Sequence, residues 1–139
     1  MSYETTKVPI AQSQTEIRRM VMAHKGTGIS FMSRPPREGF EALVTMGGEA
    51  YHIRVMATAK KVPDQEQEVR RVWRVLHWHL KAMFDAADSE VIAIEDIILP
   101  YIVTPDGRTI AEHVRPKLAE LRDLTHEKLL STTLGEKSA

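Results

Sequence analysis

Apolar residues follow a period of about 3.6 in some stretches of this chain and a period of two in others, and the changes of period mark out its elements. Ile17, Met20, Val21 and His24 fall at helical spacing. Ser13 and Glu16 stand before them at the Ser-x-x-Glu interval of a capping box, and Gly26 and Gly28 follow as stop signals. The pattern predicts a short amphipathic helix packed on a sheet. Gly28–Ser33 then reads as one strand, Phe40–Met46 as a second and Ala50–Met56 as a third, with residues 34–39 as a connector. Gly47-Gly48 suits a tight hairpin that needs positive φ. In the third strand Tyr51, Ile53 and Val55 alternate with His52, Arg54 and Met56, so the first set is buried and Arg54 turns outward.

The longest helical signal begins at Pro63-Asp64. Val69, Val72, Trp73, Leu76, Leu80, Met83, Phe84 and Ala87 form one apolar stripe, and Arg74, Trp78 and Lys81 form a row beside it. Ser89 is placed to cap a further helix through about Ile98, although Val91–Ile98 is rich enough in β-branched residues to fit a strand instead. Tyr101-Ile102-Val103 reads as extended and Pro105-Asp106-Gly107 as a turn. Thr109 and Glu112 repeat the capping-box interval before a last helical region that Pro116 interrupts. The expected architecture is α+β. A short N-terminal helix and an antiparallel sheet of three or four strands pack against a helical C-terminal half. Residues 1–130 form one domain and residues 131–139 a disordered tail. The sequence shows no internal repeat, and surplus apolar surface around Val91–Ile98 suggests self-association.

The 139 residues include 19 basic and 19 acidic side chains, so the formal charge is zero. A general polyanion binder normally has a basic excess, which disfavours nucleic acid as the partner. Charge is nonetheless uneven: residues 82–112 hold seven acidic groups and one basic group, Arg108. There are no cysteines, which excludes disulfides and thiolate chemistry and fits a cytoplasmic setting. No apolar run approaches the ~20 residues of a membrane span.

The chemistry that remains is sparse. His77 and His79 lie two apart on a helix and face different ways, so no metal site is expected. Glu95-Asp96 and Asp106 are carboxylates in no recognisable catalytic context, and neither an enzyme nor a cofactor is expected. Lys60, Lys61, Arg70, Arg71, Arg74 and Lys81, interleaved with Trp78, form a basic strip that would meet phosphates under an alternative nucleic-acid-binding reading. A small-ligand reading needs fewer groups. Arg54 on a strand and Arg108 on a turn supply guanidinium forks for phosphate, Phe31 or Trp78 supplies a π face, and Asp106 completes the set. Under the plainer reading Arg108 pairs with Asp106 or Glu112 and holds its own turn.

Three segments carry a resemblance. Ser13 to Phe31 with its Thr27-Gly28, Glu66 to Ser89 (EQEVRRVWRVLHWHLKAMFDAADS) and Tyr101 to Glu112 (YIVTPDGRTIAE) together resemble a family of small bacteriophage and prophage proteins. The chain departs from that pattern at Ile29, where an aromatic is usual, and at Pro100. The layout is similar to anti-Thoeris phage proteins. That resemblance implies a homo-oligomeric, non-catalytic sponge in the host cytoplasm that sequesters a cyclic ADP-ribose-type signal. Under it, Arg54 and Arg108 are the expected phosphate contacts and Phe31 the ring contact.

Overall fold

The computed structural model describes residues 5–135, without the side chains of residue 125 and residues 132–135. Helix α1 (Ile10–Ala23) leads into three strands, β1 (Gly28–Arg34), β2 (Arg37–Met46) and β3 (Glu49–Thr58). The helical half follows: α2 (Gln65–Ser89), α3 (Ile94–Ile98), α4 (Ile110–Val114) and α5 (Leu118–Gly135), with single 3-10 turns at Leu99–Tyr101 and Arg115–Lys117. The protein is therefore α+β, as its two periodicities predict. Among the described residues no helix is long and apolar enough to cross a membrane.

The sheet is an antiparallel meander in the order β1-β2-β3. Gly47 and Gly48 both have positive φ, 60° and 84°, which allows the two-residue turn between β2 and β3. Phe40, Ala42 and Val44 on β2 share a buried face with Ile53 and Val55 on β3. Against that face α2 lays Val72, Trp73, Leu76, Leu80 and Phe84, and α1 adds Ile17 and Val21. The α2 N-terminus is capped as its sequence suggests, with the Asp64 carboxylate accepting from the Gln67 backbone N–H at 3.1 Å.

Several local expectations are corrected. Helix α1 starts at Ile10, with Pro9 as its N-cap, so Ser13 lies inside the helix. Its hydroxyl is buried without a hydrogen-bond partner and caps nothing. At the other end Lys25 takes φ 62°, Gly26 N donates to Val21 O at 2.8 Å and Lys25 N to Met22 O at 3.1 Å. That is a Schellman motif with lysine in the usual glycine position. The connector expected at residues 34–39 shrinks to Pro35-Pro36. Strand β1 runs through Arg34 and β2 begins at Arg37, so the charged residues there belong to the sheet. Ser89 ends α2 instead of starting a helix, its hydroxyl donating to Ala86 O at 2.7 Å. Within the ambiguous 90–98 stretch only Ile94–Ile98 is helical.

The sheet gains a fragment of a fourth strand. Ile102 bridges to Ile53, Val103 N donates to His52 O at 3.0 Å, and Val103 bridges to Thr109. The chain thus passes along the β3 edge and returns through the Pro105-Asp106-Gly107 turn, where Gly107 N donates to Thr104 O at 2.9 Å. Thr109 then caps α4, its hydroxyl accepting from Glu112 N at 3.2 Å and donating to Glu112 Oε1 at 3.2 Å. Of the expected tail, residues 131–135 continue α5, and residues 136–139 lie outside the described residues.

Candidate functional site

The face of the sheet turned away from α1 and α2 carries a row pattern set by register. Ser30, Glu41 and Arg54 make one rung, Met32, Gly39 and Met56 the next, and Arg34, Arg37 and Thr58 the last. The middle rung has no side chain at its centre. A Cβ on Gly39 would clash with the Val55 carbonyl and with the Met56 sulfur, which lies folded over that position. The result is a concavity of about 580 Å³ with two thioether side chains in its lining and arginines at both ends.

Arg54 is held firmly at one end. Its Nε donates to Glu41 Oε1 at 2.8 Å, and its Nη1 donates to the Gly107 carbonyl at 2.7 Å. Glu112 Oε1 stands 3.7 Å from the same Nη1. Arg34 and Arg37 at the other end are exposed, and among the described residues neither has a carboxylate within ion-pair distance. A smaller recess of about 70 Å³ shares Arg37, Arg54, Met56 and Glu112 with the concavity and adds Arg115. The two hollows together present Arg34, Arg37, Arg54 and Arg115 against Glu41 and Glu112, a local excess of cations inside a chain of zero net charge.

The residues singled out from sequence are placed as follows. Arg54 lines the concavity. Arg108 sits beside it without entering it: its Nη2 donates to the Glu112 carbonyl at 3.1 Å. The turn thus brings both arginines to Glu112, but the two guanidiniums do not converge on one cavity. Asp106 is fully engaged in that turn. It accepts from the Thr104 hydroxyl, from Arg108 N at 3.0 Å and from His113 Nε2 at 3.2 Å. The Thr104 and Arg108 bonds hold its carboxyl down at about 2, so Asp106 is a turn-closing anion at neutral pH. His113 meets both Thr104 and Asp106 through the same Nε2 atom, which is not the relay of a nucleophile triad. Arg108→Ala is expected to lower stability by about 0.5–1 kcal/mol, the range of one exposed hydrogen bond. Urea unfolding measures that loss, and a larger one would show that the turn is a keystone of the fold.

Phe31 shares the concavity with Arg54, whereas Trp78 does not. Phe31 is in the lining of the concavity, and register pairs it with Phe40 of the buried face. Its ring meets Trp73 edge-on at 5.7 Å, and the Arg18 guanidinium stands 5.1 Å from its centroid. Trp78 lies in a separate hollow of about 370 Å³ between α1 and α2, with Glu16, His24 and Lys81. Also able to meet a planar ring in the arginine-lined concavity are Met32 and Met56, whose polarizable sulfurs pack well against aromatic faces.

The basic strip on α2 is used up within the molecule. Arg70 donates to Glu66 at 2.8 Å and to Gln67 at 2.7 Å. Arg71 makes a two-pronged contact with Glu68 at 2.7 and 2.9 Å. Those bonds, with the Lys60 backbone N–H, hold the Glu68 carboxyl down at about 2 despite its burial. Arg74 is buried and bonds Glu16 Oε2 at 2.8 Å. Lys81 pairs with Asp85 at 2.8 Å. A phosphate track along this helix loses its cations to their own carboxylates. Among the described residues no group of three or more His, Asp or Glu side chains is arranged to hold a metal ion.

Arg34, Arg37 and Arg115 are absent from the sequence-level candidate set. The signal for the first two was available: continuing the alternation of β3 back through β2 puts Arg37 on the face of Arg54. The Pro35-Pro36 turn interrupts the alternation and hides it in the sequence. No family model, curated protein or solved structure matches the chain.

Proposed function

We propose that this protein captures a compact phosphorylated, nucleotide-type ligand in the arginine-lined concavity of its sheet, without turning it over. The observation that carries this reading is that, among the described residues, Arg34 and Arg37 have no carboxylate within ion-pair distance, beside an Arg54 already oriented by Glu41 and Gly107. Two exposed guanidiniums and one fixed one suit phosphate oxygens, because each planar fork donates two parallel charge-assisted bonds. Met32 and Met56 offer a nucleobase an apolar bed between them. The lining favours holding over proton transfer. Arginine stays protonated, and the Glu41 carboxylate is occupied by Arg54.

The resemblance to phage sponge proteins narrows the ligand to a nucleotide-derived immune signal of the cyclic ADP-ribose type. It makes the protein a phage-encoded anti-defence factor acting as an assembly of identical copies in the host cytoplasm.

Calorimetric titration with cyclic ADP-ribose, ADP and inorganic pyrophosphate tests the reading. Binding is expected for the nucleotide ligands, and the double variant Arg34→Ala/Arg37→Ala is expected to weaken it about a hundredfold. Ligand released by heating should be chemically unchanged. Altered ligand, or equal affinity in the double variant, would overturn the reading.

A further inference from the structure

Two ties join α1 to α2: Arg74 donates to Glu16 at 2.8 Å, and His24 Nε2 meets the Asp88 carboxylate at 3.0 Å. The hollow of about 370 Å³ that contains Trp78 is lined by residues between these ties, from 16 to 24 on one side and from 77 to 85 on the other. Its walls mix apolar side chains, Met20, Trp78 and Phe84, with a few polar groups, the usual make-up of a small-molecule site.

The polar group that sets its chemistry is His77, which lines the hollow and is only 6% exposed. Arg74 donates to its Nδ1 at 2.6 Å, which leaves the ring proton on Nε2. Burial, and then the Arg74 charge, hold its pKa below the usual 6.5, so the ring is neutral at pH 7. Among the described residues its Nε2–H has no acceptor, and a buried donor without one is costly. The guanidinium on the far nitrogen polarises that N–H and makes it a stronger donor toward an anion.

The charges around the hollow are divided unequally. Glu16 is taken by Arg74 and Asp85 by Lys81. Arg19 also lines the hollow, is exposed, and has no carboxylate within ion-pair distance among the described residues. One cation and one neutral N–H match the single charge and paired oxygens of a carboxylate. A phosphate dianion would need more positive charge and would face Glu16 and Asp85. The indole of Trp78 has the Arg74 guanidinium over its ring, 5.7 Å from the centroid, which leaves the opposite face for a flat ring and disfavours a second cation there.

We infer that the hollow between α1 and α2 is a second binding site, for a small aromatic carboxylate whose oxygens meet His77 Nε2–H and Arg19 and whose ring lies on Trp78. This site is separate from the arginine-lined concavity and does not depend on the ligand assigned there.

Naphthoate and its uncharged amide are the probes, and two-dimensional NMR of the indole and imidazole N–H signals is the readout. The chain has two tryptophans, and Trp73, buried and bonded to Glu38, is the internal reference. Millimolar naphthoate is expected to move the Trp78 signal and leave that of Trp73 in place, and the amide to move neither. Bound carboxylate favours the protonated imidazole, so the His77 pKa should rise with ligand. Arg19→Ala changes an exposed position, so its circular dichroism should be retained while affinity falls about tenfold. Pyrophosphate in excess should not displace naphthoate. An unmoved Trp78 signal, equal binding of the amide, undiminished binding in Arg19→Ala, or displacement by pyrophosphate would each overturn the inference.

Discussion

Trp73→Ala is expected to destabilise the protein by about 4 kcal/mol, a large part of the ~5–15 kcal/mol that holds a domain of this size together. Trp73 is 1% exposed and sits where α2 crosses the buried face of the sheet. Three losses coincide in the variant. Removing the indole opens a cavity that the surrounding Phe40 and Phe84 rings cannot fill without moving. Phe31 loses its edge-on neighbour. Glu38, itself 3% exposed, loses the indole Nε1–H that donates to it at 3.0 Å and keeps the Ser33 hydroxyl at 2.7 Å. Trp73→Phe separates these effects, since it keeps most of the volume but still removes the donor. Its expected cost is about 1–3 kcal/mol. Urea unfolding followed by circular dichroism measures both, with Trp78 as the remaining fluorophore. A loss below about 1 kcal/mol for Trp73→Ala would mean that this packing does not anchor the helix to the sheet.

Glu16→Ala is expected to cost about 3 kcal/mol at neutral pH, whereas Arg74→Met is expected to cost about 1 kcal/mol or less. The asymmetry follows from which partner is buried. The Arg74 side chain is 8% exposed and that of Glu16 is 32% exposed. Taking away Glu16 leaves a guanidinium in the interior whose Nε already has no partner. Replacing Arg74 with a thioether of similar length removes the buried charge and returns Glu16 to water. The same guanidinium donates to His77 Nδ1 at 2.6 Å, so His77 is neutral and carries its proton on Nε2. Burial lowers the His77 pKa below its usual 6.5, and the Arg74 charge lowers it further. Because the folded state holds the proton less tightly than the unfolded chain, this histidine contributes stability above pH 6.5 that is lost as pH falls through its folded pKa. Arg74→Met should raise that pKa toward 6.5 and flatten the acid side of the stability profile. Imidazole titration by NMR checks the shift, and an unchanged His77 pKa would show that the guanidinium does not act on it.

Helix α2 and the third strand were legible because each has one dominant face. Eight apolar residues from Val69 to Ala87 at three- and four-residue steps allow few alternatives, and Ile53 with Val55 leaves Arg54 only the opposite face. The Thr109–Glu112 cap and the turn at Pro105-Asp106-Gly107 were equally readable, since their partners lie within a few residues. Ser13 was misread for the opposite reason. A capping box names a local interval, and Pro9 supplied a competing start one turn earlier.

The sequence by itself determined the α+β class, the meander, the long helix with its apolar stripe and the outward face of Arg54, all of which depend on neighbours a few residues apart. Only the tertiary structure decided which charges were free. Arg74 looks like a surface cation until Glu16, 58 residues away, is brought to it. Phe31 reads as an isolated ring until Trp73, 42 residues further on, meets it edge-on at 5.7 Å. Arg34 and Arg37 gain meaning when register sets them two rungs from Arg54 across a glycine. Coulomb and packing energies depend on distance in space, and a linear chain records only separation along itself.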